Sequence, residues 1–333
     1  YEELWAQGYT ESSAGAATRV RARPPRARSS RAGSPSSPGR LDSLLAPGLR
    51  EALADAVLLR ESIHGSNPEA IDLAHFRLDP EDYPIAAFRR ALDRLLIEEP
   101  EAVLSYGDPS GEARLRAVLA RRMEEHGVAA APESIVVTEG SLQALDLVLR
   151  LIASPGRGVL CEAPSFSGAL VLFKTLGLRA LGVPMDEEGI LPGALAAIYD
   201  AEAEAGRPPA CLYTIPSFHN PTGSMAGQRR REAVLEVCFS RGMPVIEDCF
   251  EEEIGFLGGS AKPLASMDTE GLVFYLGTFS KVLFPGLRLG WIAASPAWAE
   301  RLTLLRSATS ITGNALVQAA VARLIEEGSY EAH

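Results

Sequence analysis

The stretch GTFSKVLFPGLRLGW, residues 277–291, sets Lys281 beside the hydroxyls of Thr278 and Ser280 and seven positions ahead of Arg288. Three other stretches carry side chains of comparable interest. Asp248 lies at the end of the apolar run in VIEDCF, Asn220 opens NPTG at 220–223, and Gly140, Ser141 and Leu142 follow SIVVTE. Each has an ordinary explanation. A lysine at a strand end is usually a solvated charge. An aspartate after an apolar run is commonly a turn or cap residue. Gly-Ser at a strand-to-helix junction is commonly an N-cap, and NPTG alone is a turn.

Taken together, the four stretches match the groups of one ligand. An aldehyde needs an amine to form a Schiff base, which Lys281 supplies. A pyridine nitrogen stays protonated beside a buried carboxylate, a role that suits Asp248. A phenolic oxygen takes a neutral donor such as the Asn220 amide. A phosphate takes helix-start N–H groups, hydroxyls and a guanidinium. Gly140, Ser141 and Leu142, then Thr278, Ser280 and Arg288, offer these. Phe166 in APSFSGA offers a flat cover for a ring, although a phenylalanine there is nearly as often plain core. Aldehyde, pyridine, phenol and phosphate are the groups of pyridoxal 5'-phosphate.

The elements around these residues set them on one edge. Apolar, β-branched runs at 134–140, 158–164, 210–217, 244–250, 272–280 and 288–295 read as strands, with RALGVP as another. Helical periodicity follows at 141–153, from 164 to about Leu176, at 192–205 and at 227–242. Pro192 suits a first helical turn and Gly242 a helix end. The alternation predicts an α/β fold with a mostly parallel sheet sandwiched by helices. In such sheets ligands bind beyond the carboxyl ends of the strands. That rule marks residues 139–142, 216–223, 247–250 and 278–281.

Composition bounds the rest. A chain of 333 residues with 47% hydrophobic and 23% charged residues suits one large α/β domain with smaller parts. A net charge of −11 argues against a chain that coats nucleic acid along its whole length. Between Ser12 and Arg40, however, there are seven arginines and no acid. Residues 23–40, RPPRARSSRAGSPSSPGR, bury too little apolar surface to offset their ordering entropy and read as a linker. No apolar run reaches the roughly 20 residues that a membrane-spanning helix needs. The opening residues are polar and give no signal peptide. Cys161, Cys211, Cys238 and Cys249 lack CxxC spacing, and the five histidines lack ligand spacing, so no metal is expected and the thiols read as reduced and cytoplasmic.

From about Leu41 onward the chain resembles a fold-type I pyridoxal-phosphate enzyme of the class I and II aminotransferase kind. The resemblance rests on YGDPSGEARLRAVLARRMEEHGV, VVTEGSLQALDLVLRLIASPG, CEAPSFSGAL, IPSFHNPTG, VIEDCFEEEI and GTFSKVLFPGLRLGW, in that order. It implies that Lys281 carries the cofactor, Asp248 pairs with the ring nitrogen and Asn220 with the phenolic oxygen. It assigns Ser141, Thr278 and Arg288 to the phosphate. Tyr106 matches a tyrosine that reaches the phosphate of the neighbouring subunit, which implies a homodimer with sites at its interface.

The opening YEELWAQGYTESSAGAATRV resembles the end of a GntR-type winged helix-turn-helix domain, with a helix over Tyr1–Gln7 and two short strands around SSAGAAT. A winged-helix end, an arginine-rich linker and an aminotransferase-like domain together resemble the MocR subfamily of bacterial transcription regulators. IDLAHFRLDPEDYPIAAFRRAL, residues 71–92, adds to that resemblance. The implied organisation is a winged-helix remnant at 1–22, a linker at 23–45 and a pyridoxal-phosphate-binding domain at 46–333, with most of the small C-terminal domain missing. In that subfamily the large domain senses the cofactor or a small amino compound and dimerises. DNA is bound through an N-terminal domain whose recognition helix would precede Tyr1. The competing reading of residues 1–22 is a disordered amphipathic leader.

Several positions depart from the pattern. His75-Phe76-Arg77 replaces a glycine-containing step, Phe250 stands where a tyrosine is usual, and Leu142 stands where a glutamine is common, so only its N–H can serve. The arginine that clamps a substrate carboxylate belongs to the missing small domain. Three functions follow from these observations. The first is the effector-binding and dimerisation domain of a MocR-type regulator. The second is a free-standing aminotransferase in which Lys281 moves the proton as general base. The third is a domain that keeps the fold for dimerisation alone.

Overall fold

The structure, a computed structural model, describes residues 10–11, 19–20, 43–46, 48–64, 78–250 and 261–333. The Tyr1–Gln7 helix, most of the linker expected over 23–45, and the His75-Phe76-Arg77 step lie outside these residues. The chain divides into two compact units, Tyr1–Arg50 and Glu51–His333. In the first, β1 (Thr10–Glu11) pairs antiparallel with β2 (Arg19–Val20), Thr10 opposite Val20. These strands flank the SSAGAAT segment.

The second unit is built on one sheet. Its strands are β3 (Ile135–Thr138), β4 (Gly158–Ala163), β5 (Arg179–Asp186), β6 (Gly189–Ile190), β7 (Cys211–Thr214), β8 (Val245–Asp248), β9 (Val273–Thr278) and β10 (Gly290–Ala293). Their order is β3-β10-β9-β8-β7-β4-β5-β6. Strands β5, β4, β7, β8 and β9 run parallel. Strand β10 is antiparallel to both β9 and β3. Every residue of β3, β7, β8, β9 and β10 is buried. That is the physical reason for their unbroken apolar runs, since helices cover both faces.

Alternation along each strand divides the core. On one face the helix Ser141–Ile152 packs with Val136, Phe173, Tyr213 and Phe274. On the other, the helices Ala113–Glu125 and Ala315–Glu326 pack with Ile135, Val137, Phe279 and Trp291. The expected helices at 192–205 and 227–242 are found as Pro192–Glu204 and Gln228–Phe239. Strand β6 begins at Gly189 (φ 91°) and had no separate signal beside the longer β5. All four cysteines are buried and none is in a disulfide. No described helix is long and apolar enough to cross a membrane.

Candidate functional site

Because β10 runs against its neighbours, its first residue meets the last residues of two other strands. Gly290 pairs with Thr138 on one side and Thr278 on the other. Arg288, just ahead of it, therefore lies at the edge where β3 and β9 end. Its backbone is left-handed (φ 49°, ψ 59°), a conformation costing a non-glycine residue about 1 kcal/mol. Its Nη2 donates to the Glu139 carbonyl at 2.9 Å. A Cβ on Gly140 would lie 2.8 Å from that same Nη2, and Gly140 has φ 102°. Glycine at 140 thus allows both the turn and the approach of the guanidinium.

Gly140 is the N-cap of the helix Ser141–Ile152 and contributes no side chain to it. The first N–H groups of a helix lack intrahelical acceptors and carry its positive end. Gln143 reaches back to the Glu139 N–H at 2.7 Å and fixes the turn. Thr278 Oγ1 is 3.0 Å from Ser280 Oγ and accepts the Ser280 N–H at 3.2 Å. Helix start, guanidinium and paired hydroxyls thus stand at one sheet edge, the kinds of group that a cradle for an anion needs. They are the residues expected for a phosphate: Gly140, Ser141, Leu142, Thr278, Ser280 and Arg288.

Asp248 ends β8 and is buried. Its Oδ2 accepts the Tyr213 hydroxyl at 2.8 Å, while Oδ1 is buried with no hydrogen-bond partner. Burial pushes its carboxyl up to about 6, against the lowering effect of the Tyr213 bond. A buried acceptor without a donor is costly, and a protonated ring nitrogen is the kind of donor that satisfies it. The same burial, with the charge of Asp248 next in weight, holds Tyr213 well above its ordinary range and keeps it a donor.

Asn220 sits half-buried in the loop after β7, at the same carboxyl edge of the sheet. Lys281 follows β9 and lines a cavity of about 1010 Å³ with Asp82, Arg122, His126, Tyr330 and Glu331. Asp248 and the cradle residues are not among that cavity's lining. Topology therefore sets Lys281 on the expected edge, where it lines this cavity. Phe166 caps the helix Ser167–Thr175 and turns its ring over Gly168, whose Cβ would lie 2.5 Å from it. Phe250 packs against the same core cluster. Tyr106 is 83% exposed.

The profile of the aminotransferase class I and II family matches residues 75–331. The chain belongs to that family. Among its relatives, the HTH-type transcriptional regulator YisV of Bacillus subtilis is 34% identical over 275 residues, 82% of this chain and 55% of that protein. The "Probable rhizopine catabolism regulatory protein MocR" of Rhizobium meliloti is 29% identical over 339 residues, 100% of this chain and 64% of that protein. The chain is also similar to LysN, an alpha-aminoadipate aminotransferase from Thermus thermophilus solved with N-(5'-phosphopyridoxyl)-L-leucine. There the TM-score is 0.77 at 34% identity, covering 87% of this chain and 72% of that one. The chain spans little more than half the length of the first relatives it matches.

Family membership and geometry agree on the cofactor. The residues present fit pyridoxal phosphate: the orphaned Asp248 Oδ1 would suit a protonated ring nitrogen, and the Gly140 turn with Arg288 would suit a phosphate. Sequence reasoning missed Tyr213, Glu162, His219 and Arg231. A buried tyrosine in a strand needs a partner, which was a usable signal for Tyr213. An acid inside the apolar run GVLCEAP was a usable signal for Glu162. Arg231, in a run of three arginines, carried none.

Proposed function

We propose that this chain is the pyridoxal-phosphate-binding, effector-sensing and dimerising part of a MocR-type regulator of the GntR family. The observation that carries the reading is the similarity to MocR along the whole chain, including the residues ahead of the aminotransferase match. The antiparallel pair β1–β2, placed where a wing hairpin belongs, supports it. The DNA-binding part of the full-length protein would precede Tyr1, and the protein would act in the cytoplasm as a homodimer. The highly exposed Tyr106 suits a contact with a second copy.

When bound, pyridoxal phosphate supplies an aldehyde that reacts with amines and a ring that withdraws electrons. The chain's residues hold and tune it. Arg288 and the helix start at Ser141 neutralise phosphate charge. Asp248 keeps a proton on the ring nitrogen, and Tyr213 fixes the carboxylate in place by occupying Oδ2. Asn220 donates to the phenolic oxygen. Lys281 is the amine that joins the cofactor and, in an aminotransferase, the general base. A small amino compound would be the effector that such a site senses.

Adding pyridoxal phosphate to the chain is expected to raise a visible-range absorbance band in wild type and not in Lys281→Ala. A band unchanged by the substitution counts against the cofactor role of Lys281. With full-length protein, amine-dependent change in DNA binding without net transamination supports the sensor. Steady transamination with no DNA binding supports instead the free-standing aminotransferase.

A further inference from the structure

The loop that carries Asn220 rests on a cluster of buried polar residues. Arg231, 1% exposed, holds both stems of this loop. Its Nη2 donates to the Pro216 carbonyl at 3.1 Å and Ser217 Oγ at 2.7 Å, and its Nε donates to the Ala226 carbonyl at 2.9 Å. The stems also bond directly, Ala226 N–H to the Pro216 carbonyl at 2.8 Å. Within the loop, the His219 N–H donates to the Ser224 carbonyl at 2.9 Å.

His219, next to Asn220, is 2% exposed, and Glu162 at the end of β4 is 3% exposed. Glu162 Oε1 accepts from the Thr214 hydroxyl and from the Ile215 N–H at 2.8 Å. Its Oε2 has no partner, and neither has His219 Nε2. The two orphaned atoms are 4.0 Å apart. They line a cavity of about 20 Å³, where a single water needs roughly 10–15 Å³.

Thr222 Oγ1 lies 2.9 Å from Ser224 Oγ and 2.8 Å from His219 Nδ1; where it donates to Ser224 Oγ, it accepts from Nδ1. In that arrangement His219 carries its proton on Nδ1, and Nε2 is a bare acceptor. Burial pushes the imidazole down and keeps it neutral. With Glu162 ionised, two acceptors then face each other, Oε2 and Nε2, and a donor between them satisfies both.

We propose that one buried water donates to Glu162 Oε2 and His219 Nε2, and that this bridge, with Arg231, positions Asn220 for the phenolic oxygen of the cofactor. The positioning part rests on the cofactor reading above, while the bridge stands on the apo geometry alone. Glu162, His219 and Arg231 are positioning residues and act through the loop.

The test compares Glu162→Gln, Glu162→Ala, His219→Phe and Thr222→Val by backbone amide exchange of residues 219–224 without cofactor, and by pyridoxal phosphate affinity. Glutamine keeps the acceptor for Thr214 and Ile215 and turns a donor toward the bridge. Glu162→Gln is therefore expected to stay within about twofold of wild type in both measurements. Glu162→Ala and His219→Phe are expected to speed exchange and weaken affinity about tenfold each, the loss of roughly one hydrogen bond. Thr222→Val, at an exposed position, breaks the chain of bonds without opening the core and is expected to follow them. The proposal is overturned if Glu162→Gln loses as much as Glu162→Ala, or if His219→Phe and Thr222→Val exchange like wild type. If wild type forms no Lys281-dependent band, the cofactor reading falls, and the exchange measurements still decide the bridge.

Discussion

Asp248 and Glu162 are both buried carboxyls, and each is raised for the same leading reason, loss of solvation. Asp248 is pushed up to about 6 and Glu162 up to about 7. The charge of Asp248 adds to the rise at Glu162, while the Thr214 and Ile215 bonds oppose it. Between the ordinary carboxylate range, near 4, and these values the folded chain holds protons that the unfolded chain has released. Stability linked to them is present at low pH and is lost as pH rises through the window. His219 acts in the opposite sense, because burial lowers its proton affinity and its contribution grows as pH rises. Glu162→Gln removes one acid from this balance. Relative to wild type the variant is expected to gain thermal stability between about pH 5 and pH 8, as read by apo-protein melting temperature. A difference that stays flat with pH contradicts the proton-linked role of Glu162. These residues were only partly legible in sequence. Asp248 was marked by its place at the end of a strand, and its partner Tyr213 lies 35 positions away, joined to it by neighbouring strands.

At the scale of elements, the cradle depends on how closely β10 approaches the turn after β3. A Cβ on Gly290 would sit 2.7 Å from the Gly277 carbonyl and 2.9 Å from Gly140 Cα. Gly290→Ala must push the strands apart, at a cost of roughly 1–3 kcal/mol. It is expected to lower the denaturation midpoint and also to weaken phosphate-dependent cofactor binding. Arg288→Lys leaves the packing alone but replaces a planar fork by a point charge. That substitution is expected to weaken pyridoxal phosphate binding about tenfold with an unchanged melting temperature for the apo chain. Unaltered affinity in Arg288→Lys would remove Arg288 from the cradle. The strand at 288–295 was predicted, whereas its direction was not, because an apolar run reads the same in either direction.

For the whole molecule, one face question concerns Tyr106, a large aromatic left 83% exposed beside the loop that Arg306 holds. Arg306 is itself fully buried and donates to the Pro109 carbonyl, so the loop is held from within. A rigid loop that presents an exposed ring suits contact with a second copy. The chain is expected to sediment as a dimer. Tyr106→Asp is expected to weaken cofactor affinity or dimerisation without lowering the melting temperature of the monomer. A monomeric wild type with full cofactor affinity contradicts this reading of Tyr106.

The sequence by itself determined the strands, the helices that follow them and the presence of a lysine, an aspartate and a glycine-started helix at predicted strand ends. Those features arise from local periodicity and backbone preference, which neighbouring residues encode. Only the tertiary structure decided that β10 enters between β3 and β9, that Arg288 thereby reaches Gly140, and that Glu162 faces His219. Such contacts join residues far apart in the chain, and strand order and direction, which local pattern does not carry, decide which of them meet.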